Sequence, residues 1–147
     1  MKTSILMLAG SIVTLSACSQ HIKADKVPSV VENTVKAKFT GASTIEWEKA
    51  GNIYEAEFKI GTAEWTAEID SSGKLIRQKI EIKADELPAE IIRALDSLYK
   101  GQRVDEAEKV EKDGLVFYQV ELDAKPKDLE LVFSVDGTLL TDPIYWD

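Results

Sequence analysis

Five glutamates, Glu46, Glu48, Glu55, Glu57 and Glu68, are the residues of this 147-residue chain whose type and spacing could do chemistry. Clustered carboxylates can act as acid and base on a glycosidic bond, hold a cation, or attract a basic partner. The rest of the inventory is thin. Cys18 is the only cysteine and His21 the only histidine. That leaves no Ser/His or Cys/His pair in the folded part, no short-spaced zinc ligand set and no intramolecular disulfide. No glycine-rich phosphate loop is present. "DSSG" from Asp70, Asp113-Gly114 and Asp136-Gly137 lack the alternating acids of a calcium loop and read as strand turns. The sequence therefore predicts no enzyme, no cofactor and no resident metal. With 18 basic against 26 acidic side chains, the surface repels phosphate backbones, so nucleic acid is not a predicted partner.

The glutamates lie on segments that alternate strictly. In "NIYEAEFKI", Tyr54, Ala56, Phe58 and Ile60 oppose Glu55, Glu57 and Lys59. In "EWTAEID", Trp65, Ala67 and Ile69 oppose Glu64, Thr66 and Glu68. Such alternation marks half-buried antiparallel strands. A two-residue hairpin at Gly61-Thr62 sets Lys59 opposite Glu64, Phe58 opposite Trp65 and Glu55 opposite Glu68. A turn at Gly51-Asn52 sets Trp47 opposite Ala56, Glu48 opposite Glu55 and Glu46 opposite Glu57. All five glutamates then share the outer face, partly offset by Arg77 and Lys79 on the next strand. Like charges directly opposite destabilise by tenths of a kcal/mol, so changing Glu55 and Glu68 to Gln is expected to raise stability slightly. The face is either a solvated surface or a binding surface for a cationic partner. Trp47 and Trp65 share the apolar phase and are expected in the core. The phase of Trp146 cannot be assigned.

The strands belong to a duplicated pattern. "VPSVVENTVKAKFTG" and "LPAEIIRALDSLYKG" match at an offset of 60, from Pro28/Pro88 through Gly41/Gly101. Each reads as a helix with a four-residue apolar stripe, Val31, Val35, Phe39 and Ile91, Leu95, Tyr99. "YEAEF" then meets "YQVEL", and Ile69-Asp70 meets Val135-Asp136. Expected second-copy strands are Val104 to Lys112, Val116 to Asp123, Leu129 to Val135 and Thr138 to Trp146. The fold class expected is α+β: a duplicated helix-plus-antiparallel-meander unit, with helices packed on one face of a combined sheet over one shared core. Repeats run over 27–82 and 87–147.

Ahead of the repeats, Lys2, the apolar run Ile5 to Leu15 and small residues before Cys18 make a secretory signal peptide over 1–17. The run is too short to span a bilayer. "LSAC" (Leu15 to Cys18) resembles the lipobox of bacterial lipoproteins. That resemblance implies lipidation of Cys18, with residues 18–26, including His21, as a polar tether. Ser19 in the next position implies the outer membrane of a Gram-negative bacterium.

The repeats themselves resemble the PepSY-like, beta-lactamase-inhibitor-like family. The likeness rests on the two helical segments, on "YEAEF" and "YQVEL", and on "DSSGKL" and "VDGTLL". Thr40 and Lys100 stand where the family often has proline. The resemblance implies an extracytoplasmic, non-catalytic binding role, with inhibition or regulation of an envelope or secreted enzyme as its concrete form. It offers no catalytic residues. A small-ligand or cation-binding module on the acidic face, and a carboxylate-dependent hydrolase, remain the alternatives.

Overall fold

The computed structural model describes residues 19–143, 145 and 146. Cys18 and the signal segment lie outside the described residues, as does Ile144. Nine strands form one antiparallel sheet whose spatial order is the order of the chain. They are β1 (Gln20–Ile22), β2 (Ser43–Ala50), β3 (Ile53–Ile60), β4 (Ala63–Asp70), β5 (Leu75–Glu81), β6 (Arg103–Lys112), β7 (Leu115–Asp123), β8 (Leu129–Ser134) and β9 (Leu139–Leu140). Two ten-residue helices interrupt the run, α1 (Ser29–Lys38) after β1 and α2 (Ala89–Leu98) after β5.

This corrects the expected fold class. Among the described residues the protein is predominantly a single nine-stranded antiparallel sheet with two short helices, not a duplicated helix-plus-antiparallel-meander unit with helices packed on one face of a combined sheet. The reason lies at the repeat boundary. There β5 pairs directly with β6, Arg77 with Lys112 through Glu81 with Glu108, so the ladder crosses from one repeat to the next without a break. The single shared core is corrected as well. Val31, Val35 and Phe39 pack with Trp47, Tyr54, Ala56, Phe58, Ala67 and Ile69. Ile91 and Leu95 belong to a separate cluster with Ala107, Val120, Leu122, Leu131 and Phe133. Between the clusters runs a polar seam on the same sheet face. Gln78, paired across the ladders with Ala67 and Glu111, donates from Nε2 to Glu111 Oε2 at 2.9 Å, and Lys109 Nζ reaches Glu111 Oε1 at 2.8 Å. These side chains stay half-exposed, Lys109 at 37% and Glu111 at 42%, and no apolar side chain closes over them.

Three local departures bear on the site. The segment read as a tether is ordered: β1 pairs with β2, Gln20 with Lys49 through Ile22 with Trp47, and a 3-10 turn follows at Ala24–Lys26. The signal for this was a doublet, "IKAD" at Ile22–Asp25 and again at Ile82–Asp85. It makes β1 the counterpart of the end of β5. Second, the turns after β4 and β8 correspond through Gly73 and Gly137, which places Asp70 opposite Ser134 and not opposite Asp136. In both, the turn closes with the same backbone bonds, Gly73 N to Asp70 O and Gly137 N to Ser134 O, each 2.9 Å. Both glycines press on a helix. A Cβ on Gly73 would lie 2.7 Å from the Val30 side chain, and one on Gly137 2.7 Å from the Glu90 carbonyl oxygen. Third, the last strand is two residues long. The chain leaves the sheet after Leu140 and lays Tyr145 and Trp146 against the outer face, over Val110, Phe117 and Val132.

Candidate functional site

The acidic face has the expected register. Glu46 is opposite Glu57, Glu48 opposite Glu55, Glu55 opposite Glu68, and Phe58 opposite Trp65. Two-residue turns fix this pairing, because a slip of one would carry every apolar side chain to the wrong face. The five carboxylates are nevertheless not equivalent. Glu68 is gripped by Arg77, its cross-strand partner, through two bonds of 2.6 Å from Nε and Nη2. Such a paired fork is the strongest geometry available to a guanidinium and a carboxylate. Glu48 accepts from Ser19 Oγ at 2.5 Å and lies 3.8 Å from His21 Nδ1. Glu55 accepts from the Trp146 indole N–H at 3.2 Å. Of the five, only Glu46 and Glu57 have no hydrogen-bonding or ion-pair partner, and both are exposed.

Sequence reasoning missed the residue that organises this site. Trp146, 5% exposed, reaches back over the sheet and touches both repeats. Its indole lies under the Arg77 guanidinium, 3.9 Å from Cζ to the ring centroid, with Lys79 Nζ at 5.0 Å. Cations over an indole face are held by its quadrupole. Its backbone is pinned by side chains. The Trp146 N–H donates to Gln119 Oε1 at 2.8 Å, and its carbonyl accepts from Gln119 Nε2 and from Lys79 Nζ, each at 2.9 Å. Gln119 thus replaces a strand neighbour, giving one donor and one acceptor. Beneath lies a buried pair, Lys79 Nζ to Glu108 Oε1 at 3.0 Å, with Gln119 Nε2 also bound to Glu108 Oε2 at 2.8 Å. A desolvated pair is tolerated only when its remaining lone pairs and protons find such partners. A signal was present: Val110, Phe117 and Val132 fall in the outward phase of their strands, so this part of the outer face had to be covered.

Together the open glutamates and the tail enclose a groove of about 530 Å³, lined by Glu48, Glu55, Glu57, Glu68, Arg77 and Trp146 among others. Glu46 lies beyond its end, beside a shallower hollow of about 250 Å³ shared with Glu57 and Glu64. Burial pushes the Glu55 carboxyl above its ordinary range. The indole hydrogen bond opposes that, and the charges of Glu68 and Glu57 add to it. A raised carboxyl is what a general acid requires, but this one is already engaged by the indole. Of the glutamates that line the groove, Glu57 alone is unpaired. A larger cavity, about 630 Å³, opens where β6 parts from β5, near Glu81 and Glu106. It contains none of the five glutamates. Among the described residues, no group of three or more His, Cys, Asp or Glu is placed to hold a metal ion, and no helix is long and apolar enough to cross a membrane.

The fold has known counterparts. A BLIP-like protein from Bacteroides fragilis superposes with a TM-score of 0.69 at 22% identity, over 81% of this chain and 92% of that one. A structure described as "putative periplasmic proteins" from Bacteroides eggerthii gives 0.73 at 16%, over 78% and 86%. At these identities the likeness is one of fold. Comparison with curated proteins finds no match. The profile described as "Putative beta-lactamase-inhibitor-like, PepSY-like" matches twice, over residues 13–77 and 76–141. Both matches begin upstream of a helix and run through the strands that follow, as the ordered β1 requires, and the chain belongs to the PepSY-like, beta-lactamase-inhibitor-like family as two units in tandem.

Proposed function

We propose that this chain is an exported, non-catalytic binding protein whose acidic outer face holds a cationic segment of a protein partner in the cell envelope, and thereby inhibits or regulates that partner. Family membership supports the non-catalytic part, and a relative described as periplasmic supports the compartment. The observation that carries the reading is the pair Glu46 and Glu57. They face each other across the β2–β3 ladder, exposed and without a compensating cation. Directly opposed like charges cost stability, and a basic partner relieves that cost on binding. Arg77 and Lys79 do not provide this relief, because Glu68, Glu108 and Trp146 already hold them.

The test is capture from envelope extract, with wild type compared with Glu46→Gln/Glu57→Gln. A partner of the proposed kind is basic. It is lost from the double variant, and lost from wild type as salt shortens the screening length from about 8 Å to about 3 Å. A partner that binds both forms equally at low salt places the binding surface elsewhere. Anchoring through Cys18 in the outer membrane belongs to the same reading. Cys18→Ala then abolishes fatty-acid labelling and releases the protein from membranes, whereas unchanged retention removes the lipid anchor from the proposal.

A further inference from the structure

The two repeats differ under their helices. In repeat 1 the end of α1 closes on an aromatic cluster. The Phe39 ring lies 4.8 Å from Phe58 and 5.7 Å from Trp65, centroid to centroid. Phe58 and Trp65 are cross-strand partners. In repeat 2 the corresponding residues are Tyr99, Leu122 and Leu129, with Leu122 and Leu129 again cross-strand partners. An indole is thus replaced by a leucine, and a phenyl ring by another. Leu122, which stands where repeat 1 has the Phe58 ring, lines the space left. A cavity of about 360 Å³ lies between α2 and the sheet, lined chiefly by Leu87, Ile92, Leu95, Tyr99, Val104 and Leu122. Leu95 and Leu122 floor it at 8% and 1% exposure. Its mouth carries Asp85 and Asp96, exposed and without an ion pair or hydrogen bond among the described residues. The nearby Arg103 is occupied by Asp105 and Asp123.

We infer that repeat 2 carries a ligand site between α2 and the sheet, taking a small molecule with an aromatic ring and a pendant ammonium group. An apolar cavity of a few hundred Å³ with a few polar groups at its rim is the usual form of a small-ligand site. Repeat 1 shows what the space accepts, since its own Phe58 ring packs against Phe39 where Leu122 stands beside Tyr99. The two carboxylates at the mouth set the charge of the substituent. The site is separate from the acidic groove and stands independently of the function proposed for it.

Titration of the full-length protein with tryptamine, tryptophol and indole-3-acetate, followed by amide chemical shifts, tests the inference. Tryptamine is expected to shift Leu87, Tyr99 and Leu122, and to bind about three- to fivefold tighter than neutral tryptophol, the size of effect that exposed charges supply. Indole-3-acetate is expected to bind most weakly. Asp85→Asn/Asp96→Asn should bring tryptamine and tryptophol to equal affinity. Leu122→Phe restores the ring that repeat 1 carries, so it should abolish binding of all three; Ile92→Trp, at an exposed lining residue, should do the same if the phenylalanine variant fails to fold. Shifts confined to the Glu55 and Trp146 groove, or undiminished binding by a folded Leu122→Phe or Ile92→Trp protein, would overturn the proposal.

Discussion

The outer faces of the two repeats start from the same strand pattern and end differently. On β2, β3 and β4 the face presents glutamates to solvent, and two of them oppose each other without a partner. On β6 and β7 Glu106 and Glu121 oppose each other in the same way, but beside them Val110, Phe117 and Val132 form an apolar patch closed over by Tyr145 and Trp146. That patch is the part of the outer face that Trp146 buries, at 5% exposure. Lys79, Glu108 and Gln119 occupy the border between the two faces, and their mutual bonds let charged groups sit at 9%, 5% and 0% exposure. The difference shows that a duplicated unit diverges where its surroundings diverge.

The largest expected effect comes from removing the cover. Trp146→Ala should destabilise the protein by about 3–5 kcal/mol, as large aromatic truncations do, measured by denaturant unfolding. It exposes Val110, Phe117 and Val132 and leaves Gln119 without its indole-anchored neighbour. A loss below about 1 kcal/mol would show that the tail lies on the sheet without holding it, and the contrast between the faces would fail.

Next come the two clusters on the helix face. Val35→Ala and Leu95→Ala should each cost about 1–4 kcal/mol. Because the Gln78–Glu111–Lys109 seam separates them, their effects should add to within about 0.5 kcal/mol. A coupling well above that would mean the clusters act as one core across the seam. Two separate unfolding transitions would mean that the continuous β5–β6 ladder does not unite the repeats.

A pH titration sharpens the comparison at its border. The Glu55 carboxyl is raised by burial, so the folded state holds that proton more tightly than the unfolded chain. Its contribution to stability is present below the unfolded pKa and is lost as pH rises from there through the higher folded value. The side-chain carbon shift of Glu55 should therefore titrate above the ordinary glutamate range. Trp146→Phe removes the indole N–H that favours the charged form and should move the titration higher still. A downward move would show that the indole does not donate to Glu55.

The smallest effect separates the two kinds of glutamate. Glu46→Gln/Glu57→Gln should stabilise by a few tenths of a kcal/mol by relieving direct opposition. The expectation that Glu55→Gln/Glu68→Gln would also stabilise is reversed. Glu68 holds Arg77 through two bonds and Glu55 holds the Trp146 indole, so that double variant should lose stability on denaturant unfolding. If both doubles shift stability in the same direction, the outer face is electrostatically uniform and the assignment of free and held carboxylates is wrong.

Much of the repeat 1 face was legible because its information is local. Alternation chose the face of Glu55 and Glu57, and the two-residue turns at Gly51-Asn52 and Gly61-Thr62 set the register to the residue. β1 was legible in principle from the "IKAD" doublet, but three residues are too few for alternation to distinguish a strand from a tether. The final strand was over-extended to Trp146 for the opposite reason. Leu139 and Leu140 pair with β8, and nothing local shows that the chain then turns onto the other face.

The sequence by itself determined the duplication, the helices and their stripes, the antiparallel hairpins and the side of the sheet on which each glutamate stands. These follow from periodicity and turn length, which act over a few residues. Tertiary structure decided that β5 and β6 would join the repeats into one sheet, that a polar seam would divide the core, and that Trp146 would bind Gln119, Lys79, Arg77 and Glu55. Each of those outcomes depends on contacts between residues 27 to 91 positions apart or on which neighbouring strand satisfies an edge. The free energy of such contacts is set by the burial and hydrogen bonding that only the assembled sheet provides.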